Sequence, residues 1–176
     1  MSTVSQAMIT KANSSARESD RAVVPPVVRQ LATKSDFILD YGAGPKGFHA
    51  HCLKVLGYPV IAYDFGDNYN ETAHDSEALD WAYDIVYASN VLNVQGSAHM
   101  LGQTLREIYG VLNTGGKFIF NFPASPRYGA FDKYKKGKEQ ERYLMKRIKA
   151  IWGHDTIVDM NENTDVSTPV YMIKKI

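Results

Sequence analysis

A chain of 176 residues and 19.7 kDa holds one well-packed core and is too short for two ordinary domains. With 44% hydrophobic and 22% charged residues it is not a disordered chain, and no apolar run approaches the roughly 20 residues that span a bilayer. A single cysteine, Cys52, excludes an internal disulfide and suits the cytosol, so a cytoplasmic protein with Cys52 packed in its core is expected.

The hydrophobic period switches repeatedly along the chain, as it does when strands alternate with helices. Residues 1–19, rich in Ser, Thr and Ala, read as an N-terminal arm, and 20–176 as one domain. Asp20 to Ala32 reads as an opening helix whose Pro25 and Pro26 suit only a first turn or a break. "FILDY" at 37–41 is a short buried strand. After it, Pro45 and Lys46 open a helix on which Phe48, Cys52, Val55 and Leu56 share one apolar face, ended by Gly57. "PVIAYD" at 59–64 is a second strand, and Tyr83 to Ser89, "YDIVYAS", a further apolar strand. Met100 to Leu112 reads as a helix stopped by Gly115 and Gly116, "KFIFNF" as a strand, and Lys138 to Ile151 as a charged helix. "TIVDM" and "VYMIKKI" give two closing strands joined by a polar turn. This βαβ arithmetic predicts an α/β fold, a Rossmann-like, doubly wound, mostly parallel sheet with helices on both faces.

Ligands of such sheets sit beyond the carboxyl ends of the strands, where strand order reverses. The loops after Tyr41, Asp64, Ser89 and Phe122 should therefore surround one site. Gly42, Ala43 and Gly44 form a tight turn that lets a ligand approach the backbone, with helix-terminal amides expected beneath it. Asp64, 22 positions after Gly42, ends the second strand, where a carboxylate accepts hydrogen bonds from ribose hydroxyls. To that point a nicotinamide dinucleotide and S-adenosylmethionine fit equally. Asp40 separates them, because a carboxylate at the mouth of the turn repels a pyrophosphate and attracts the ammonium of a methionine moiety.

The stretch Asp40-Tyr41-Gly42-Ala43-Gly44-Pro45-Lys46-Gly47 resembles the first motif of the class I S-adenosylmethionine-dependent methyltransferases, D/E-x-G-x-G. The resemblance runs from about Phe37 to Phe122, with "YDIVYASNVLN" similar to the fourth strand and "VLNTGGKFIFNF" to the glycine turn and fifth strand. It implies S-adenosylmethionine as cofactor, S-adenosylhomocysteine as product, and an antiparallel last strand. It also implies adenine contacts near His74, Asp75 and Ser76. The third strand is expected to be shortened, since only 19 residues separate Asp64 from Asp84. The compact form is loosely similar to small methyltransferases of phages and DNA-modification loci.

Methyl transfer from a sulfonium asks chiefly for alignment of donor and nucleophile, and no metal. Ser89, Asn90 and Asn93 follow the fourth strand of the resemblance and should face the methyl, with Asn90 orienting the acceptor; a polar helix cap is the alternative role. "SNVL" lacks the D/N/S-P-P-Y/F of adenine-specific DNA methyltransferases, and Asn121-Phe122-Pro123 echoes that motif on another strand. The five histidines lack metal-ligand spacing and read as solvated side chains. Tyr128, Phe131 and Tyr134 fall in the loop near the expected acceptor.

Asp132 to Lys149 carries a net charge of +5 in a chain of net +1. Lys133, Lys135, Lys136, Lys138 and Arg142, interleaved with aromatic residues, suggest a nucleic-acid acceptor, with a solvated helix face as the plain alternative. Lys46, Arg17 and Arg21 could extend that patch or bind the methionine carboxylate. Three functions remain open: a methyltransferase acting on nucleic acid or a small molecule, alone or as a homodimer; a non-catalytic partner subunit that binds S-adenosylmethionine; and a nicotinamide-dependent oxidoreductase, which Asp40 disfavours.

Overall fold

The computed structural model describes residues 23–160 and 169–176. The arm expected at 1–19, with Arg17, and also Arg21 lie outside the described residues. Helix α1, Val24–Leu31, holds its prolines in the first turn, where a missing N–H costs no helical bond, and buries Val24, Val27 and Val28. Strand β1 is Ile38–Tyr41, helix α2 Phe48–Val55, strand β2 Val60–Tyr63 and strand β3 Tyr83–Ala88. Helix α3, Ala98–Val111, runs directly into β4, Leu112–Asn121. Helix α4 is Gly137–Trp152, followed by β5 at Val158–Asp159 and β6 at Val170–Lys174.

Six strands form one sheet in the order β2-β1-β3-β4-β6-β5. The first four pair in parallel, β6 pairs antiparallel to β4, and β5 antiparallel to β6. The chain steps from β1 out to β2 and then returns to the other side of β1 for β3. That reversal opens a crevice beyond the carboxyl ends of β1 and β3.

Alternation along each strand sends side chains to two separate cores. On one face Ile38, Val60, Ala62, Ile85, Tyr87 and Ile119 pack against α1 and α2. On the other, Leu39, Tyr41, Val86, Ala88, Phe118 and Phe120 meet α3 and α4. Leu101, Leu105 and Ile108 of α3, and Leu144, Ile148 and Trp152 of α4, are the buried stripes that seat those helices. Ser97 caps α3, its hydroxyl accepting the Met100 N–H at 3.0 Å.

The face expected for α2 is corrected. Ala50 and Leu53 are buried, whereas Phe48 is 46% and Val55 73% exposed, and Cys52 is half-buried rather than a core residue. Residues 65–82 hold two 3-10 turns, Gly66–Asn68 and Ala78–Asp80, and no strand beyond β2. The third strand of the resemblance is therefore absent among the described residues, and β2 is the edge of the described sheet. Nor do Gly115 and Gly116 stop α3. Leu112 is already extended, and the glycine pair lies inside β4, where Gly115 at φ +82 accompanies a register shift against β3.

Candidate functional site

Beyond β1 the chain turns through Gly42 and Gly44, at φ +80 and +78. A β-carbon on Gly42 would lie 2.5 Å from a Val91 methyl, so backbone conformation and packing both require glycine there. The N–H groups of Gly42 and Ala43 both donate to the Tyr63 carbonyl at 2.9 Å, and that of Gly44 donates to the Asp64 carboxylate at 2.8 Å. The three amides of the turn are thus spent inside the protein. Helix α2 starts only after Gly47, whose N–H donates to the Gly44 carbonyl at 3.3 Å. The turn itself therefore offers a ligand its carbonyl edge and close approach rather than free amides.

Two carboxylates flank it. Asp64, 6% exposed at the end of β2, also accepts the Phe65 N–H at 2.8 Å. Burial raises its pKa, against the lowering effect of those two backbone donors. Asp40, 3% exposed, accepts the Tyr87 hydroxyl at 2.7 Å. Burial pushes its carboxyl up to about 7, opposed by the Tyr87 bond and reinforced by the charge of Asp64. Both carboxyl groups are recessed beneath the surface of the turn, where burial disfavours their ionised forms.

His74 departs from the expectation of a solvated histidine. It is buried, its Nδ1 accepts the Asn70 N–H at 2.9 Å, and its Nε2 lies 2.7 Å from the Gly44 carbonyl. Accepting at Nδ1 leaves Nε2 as the protonated donor of a neutral ring. His74 therefore clamps the 66–74 segment onto the glycine turn. Asp75 serves other contacts. Its N–H donates to the Ala62 carbonyl at 3.0 Å along the free edge of β2, and its carboxylate accepts the Glu77 N–H at 2.8 Å. Ser76 is exposed, and neither residue is bonded to the turn among the described residues.

Across the crevice, Ser89 and Asn90 follow β3. Asn90 adopts φ +58, a left-handed conformation that asparagine tolerates better than most residues. Its N–H donates to Asn121 Oδ1 at 2.7 Å, and its own Oδ1 accepts from Asn121 Nδ2 at 2.8 Å. This reciprocal pair fixes Asn90 at the strand end, exposed, with its side-chain N–H groups free among the described residues. Asn121, 1% exposed, is the partner that sequence reasoning noted only as a distant motif echo. Asn93 is also buried and ties this loop to the next, donating to the Pro126 carbonyl at 2.8 Å while its own carbonyl accepts the Tyr128 N–H at 2.9 Å.

The loop after β4 is held down by Arg127. Its Nε donates to the Pro123 carbonyl at 2.8 Å, its Nη1 to the Gly137 carbonyl at 3.0 Å, and its guanidinium lies 3.8 Å from the Phe122 ring centroid. Phe131 is fully buried, so only Tyr128 and Tyr134 of the expected aromatic set are partly exposed. Lys135, Lys136, Lys138 and Arg142 are exposed around the start of α4. Lys133, also exposed, lies over the Tyr143 ring, 4.4 Å from its centroid. Arg147 is also engaged, donating to the Tyr143 hydroxyl at 2.6 Å and the Ala98 carbonyl at 3.0 Å. Among the described residues no three His, Cys, Asp or Glu side chains gather as a metal centre requires, and no helix is long and apolar enough to cross a membrane.

No protein-family model matches the chain, and no curated protein matches it in sequence. Solved structures do. A TehB-like SAM-dependent methyltransferase from Corynebacterium glutamicum has a TM-score of 0.57 at 14% identity, over 89% of this chain and 90% of that one. Magnesium protoporphyrin IX methyltransferase from Synechocystis, solved with bound SAM, has a TM-score of 0.56 at 11% identity, over 96% and 79%. Human N-acetylserotonin methyltransferase, also in complex with SAM, scores 0.50 at 13% identity, over 86% of this chain. The chain spans about half the length of some of these structures, 51% of the human enzyme and 46% of the CcbJ methyltransferase from Streptomyces caelestis. The likenesses to the Corynebacterium, Synechocystis and human enzymes show the class I methyltransferase fold.

Proposed function

We propose that this chain, built on the class I methyltransferase fold, binds S-adenosylmethionine in the crevice beyond β1, β2 and β3 and transfers its methyl group to an acceptor. The observation that carries the reading is the state of the glycine turn. With the amides of Gly42, Ala43 and Gly44 spent on Tyr63 and Asp64, the turn itself offers a pyrophosphate no donors. With Asp40 and Asp64 recessed beside it, the same turn favours a ligand that brings positive charge and hydroxyl donors. Asp64 retains acceptor capacity for a ribose, since each carboxylate oxygen accepts more than one bond.

When bound, the sulfonium supplies an already activated methyl group. The protein's task is then alignment. Asn90, pinned by Asn121, is fitted to orient the nucleophile with its free amide donors, beside Ser89. Calorimetry with S-adenosylhomocysteine and NAD tests the reading. Binding of the first alone is expected, and tight NAD binding without a response to the first overturns it.

For the acceptor we favour nucleic acid over a small molecule. Lys135, Lys136, Lys138 and Arg142 stand exposed around the start of α4, the helix reached through the loop that leaves the carboxyl end of β4. A non-catalytic partner subunit is the second reading. The exposed Phe48 and Val55 of α2 favour it. Methyl transfer to DNA or RNA by the isolated chain separates the two.

A further inference from the structure

Tyr41 and Tyr63 are register partners at the ends of β1 and β2, and they face the α3 side of the sheet, opposite the layer in which Tyr87 meets Asp40. Their ring centroids are 5.0 Å apart, and the Phe65 ring continues the series 6.5 Å from Tyr63. Helix α3 confronts these rings with Met100, Gln103, Thr104 and Glu107 across a cleft of about 120 Å3. The Tyr41 hydroxyl donates to Glu107 Oε1 at 2.6 Å, fixing the carboxylate beside the rings. Glu107 accepts no other hydrogen bond among the described residues, and none of the seven lining residues is cationic. After burial, the charge of Glu107 is the next cause that holds both phenols above their ordinary range.

We propose that this cleft is a binding site for a small quaternary or methylated ammonium ion. Aromatic faces and a thioether suit the apolar shell of such an ion, and Glu107 suits its charge. Glu107, exposed on α3, attracts a cation and repels an anion, and a bare ammonium holds its water too strongly to settle against the rings. The volume is of the order of the roughly 150 Å3 cavity that admits benzene, room for a trimethylammonium head group. The site stands independently of the methyltransferase reading.

Calorimetry on the full chain with choline and with its neutral isostere, 3,3-dimethylbutan-1-ol, tests the charge requirement. Choline is expected to bind and the alcohol to bind at least about tenfold more weakly. Glu107→Gln and Tyr63→Leu should each weaken choline by about the same factor while S-adenosylhomocysteine binding is unchanged. Equal affinity for the two isosteres, no heat with choline, or choline affinity unmoved in both variants overturns the proposal. Displacement of choline by saturating S-adenosylhomocysteine also overturns it, by making the cleft part of the proposed cofactor site.

Discussion

The Asp64 carboxylate accepts the Gly44 N–H at 2.8 Å, so the residue proposed to hold the ribose also holds the turn on which the rest of the ligand rests. One side chain thereby couples the end of β2 to the loop after β1. Asp64→Ala is expected to weaken S-adenosylhomocysteine binding by about 1.5–3 kcal/mol, the scale of hydrogen bonds to a charged group. Freeing the Gly44 N–H should also lower stability by about 1 kcal/mol. Calorimetry and urea denaturation read the two effects separately, and unchanged binding would move the ligand site elsewhere.

Gly42 tests the packing of the turn. A β-carbon 2.5 Å from Val91 Cγ2, on a backbone at φ +80, combines overpacking with a left-handed conformation. Gly42→Ala should therefore cost about 2–4 kcal/mol in urea denaturation. Val91→Ala in the same chain removes the clash and leaves the backbone cost, so the double variant should recover part of the loss. Equal stability of the single and double variants would show that Val91 yields at no cost.

His74 provides a separate test of the clamp. His74→Ala leaves the Asn70 N–H and the Gly44 carbonyl without their partner, and a loss of about 1–3 kcal/mol in stability is expected. Because the clamp bears on Gly44, S-adenosylhomocysteine affinity should fall with it. A stability loss with unchanged affinity would reduce His74 to a purely structural role.

Asp40 predicts a pH dependence of defined sign. Its folded pKa of about 7 stands above the 3.8 of an exposed aspartate. Between those values the folded chain holds a proton that the unfolded chain has released. This group's contribution to stability is therefore lost as pH rises from about 4 to 7, and is level above that. Asp40→Asn keeps an acceptor for the Tyr87 hydroxyl and should remove this part of the slope in urea denaturation across pH 5 to 8. Affinity runs the other way. Ionised Asp40 attracts the ligand's ammonium, so S-adenosylhomocysteine should bind more tightly at pH 8 than at pH 6 in the parent chain, with little change in Asp40→Asn. A parallel pH response in both proteins would remove Asp40 from the ligand's surroundings.

The strands and the turn were legible because local chemistry dictates them. Continuous apolar runs mark strands buried on both faces, and Gly42 and Gly44 announce positive φ. The apolar spacing on α2 misled, because spacing shows which residues share a face but not which face meets the sheet, and it is Ala50 and Leu53 that are buried while Phe48 and Val55 stay exposed. His74 was illegible for a related reason. Its partners are a backbone carbonyl 30 positions away and an amide of its own loop, and neither leaves a side-chain pattern to read. Asn121 came nearer to view, yet only strand order places it beside Asn90.

A nucleic-acid acceptor, as proposed, would meet the cations around the start of α4 unequally. Arg147 is bonded to Tyr143 and Ala98 and serves the packing of α4, while Lys133, though exposed, lies over the Tyr143 ring. Lys135, Lys136 and Lys138 are exposed around the start of that helix. A nucleic-acid acceptor that meets these three should show log affinity falling linearly with log salt, by about 0.7–0.9 per phosphate neutralised. Replacing the three with glutamine should then flatten the slope by roughly two to three, whereas Lys133→Gln should flatten it by less and lower stability instead. Cofactor affinity should be the same in every variant, because none of these residues touches the turn. Fluorescence anisotropy with labelled DNA and RNA across a salt series makes the measurement. Binding that ignores salt, or no binding at all, would return this segment to a solvated helix face and leave a small-molecule acceptor as the better reading.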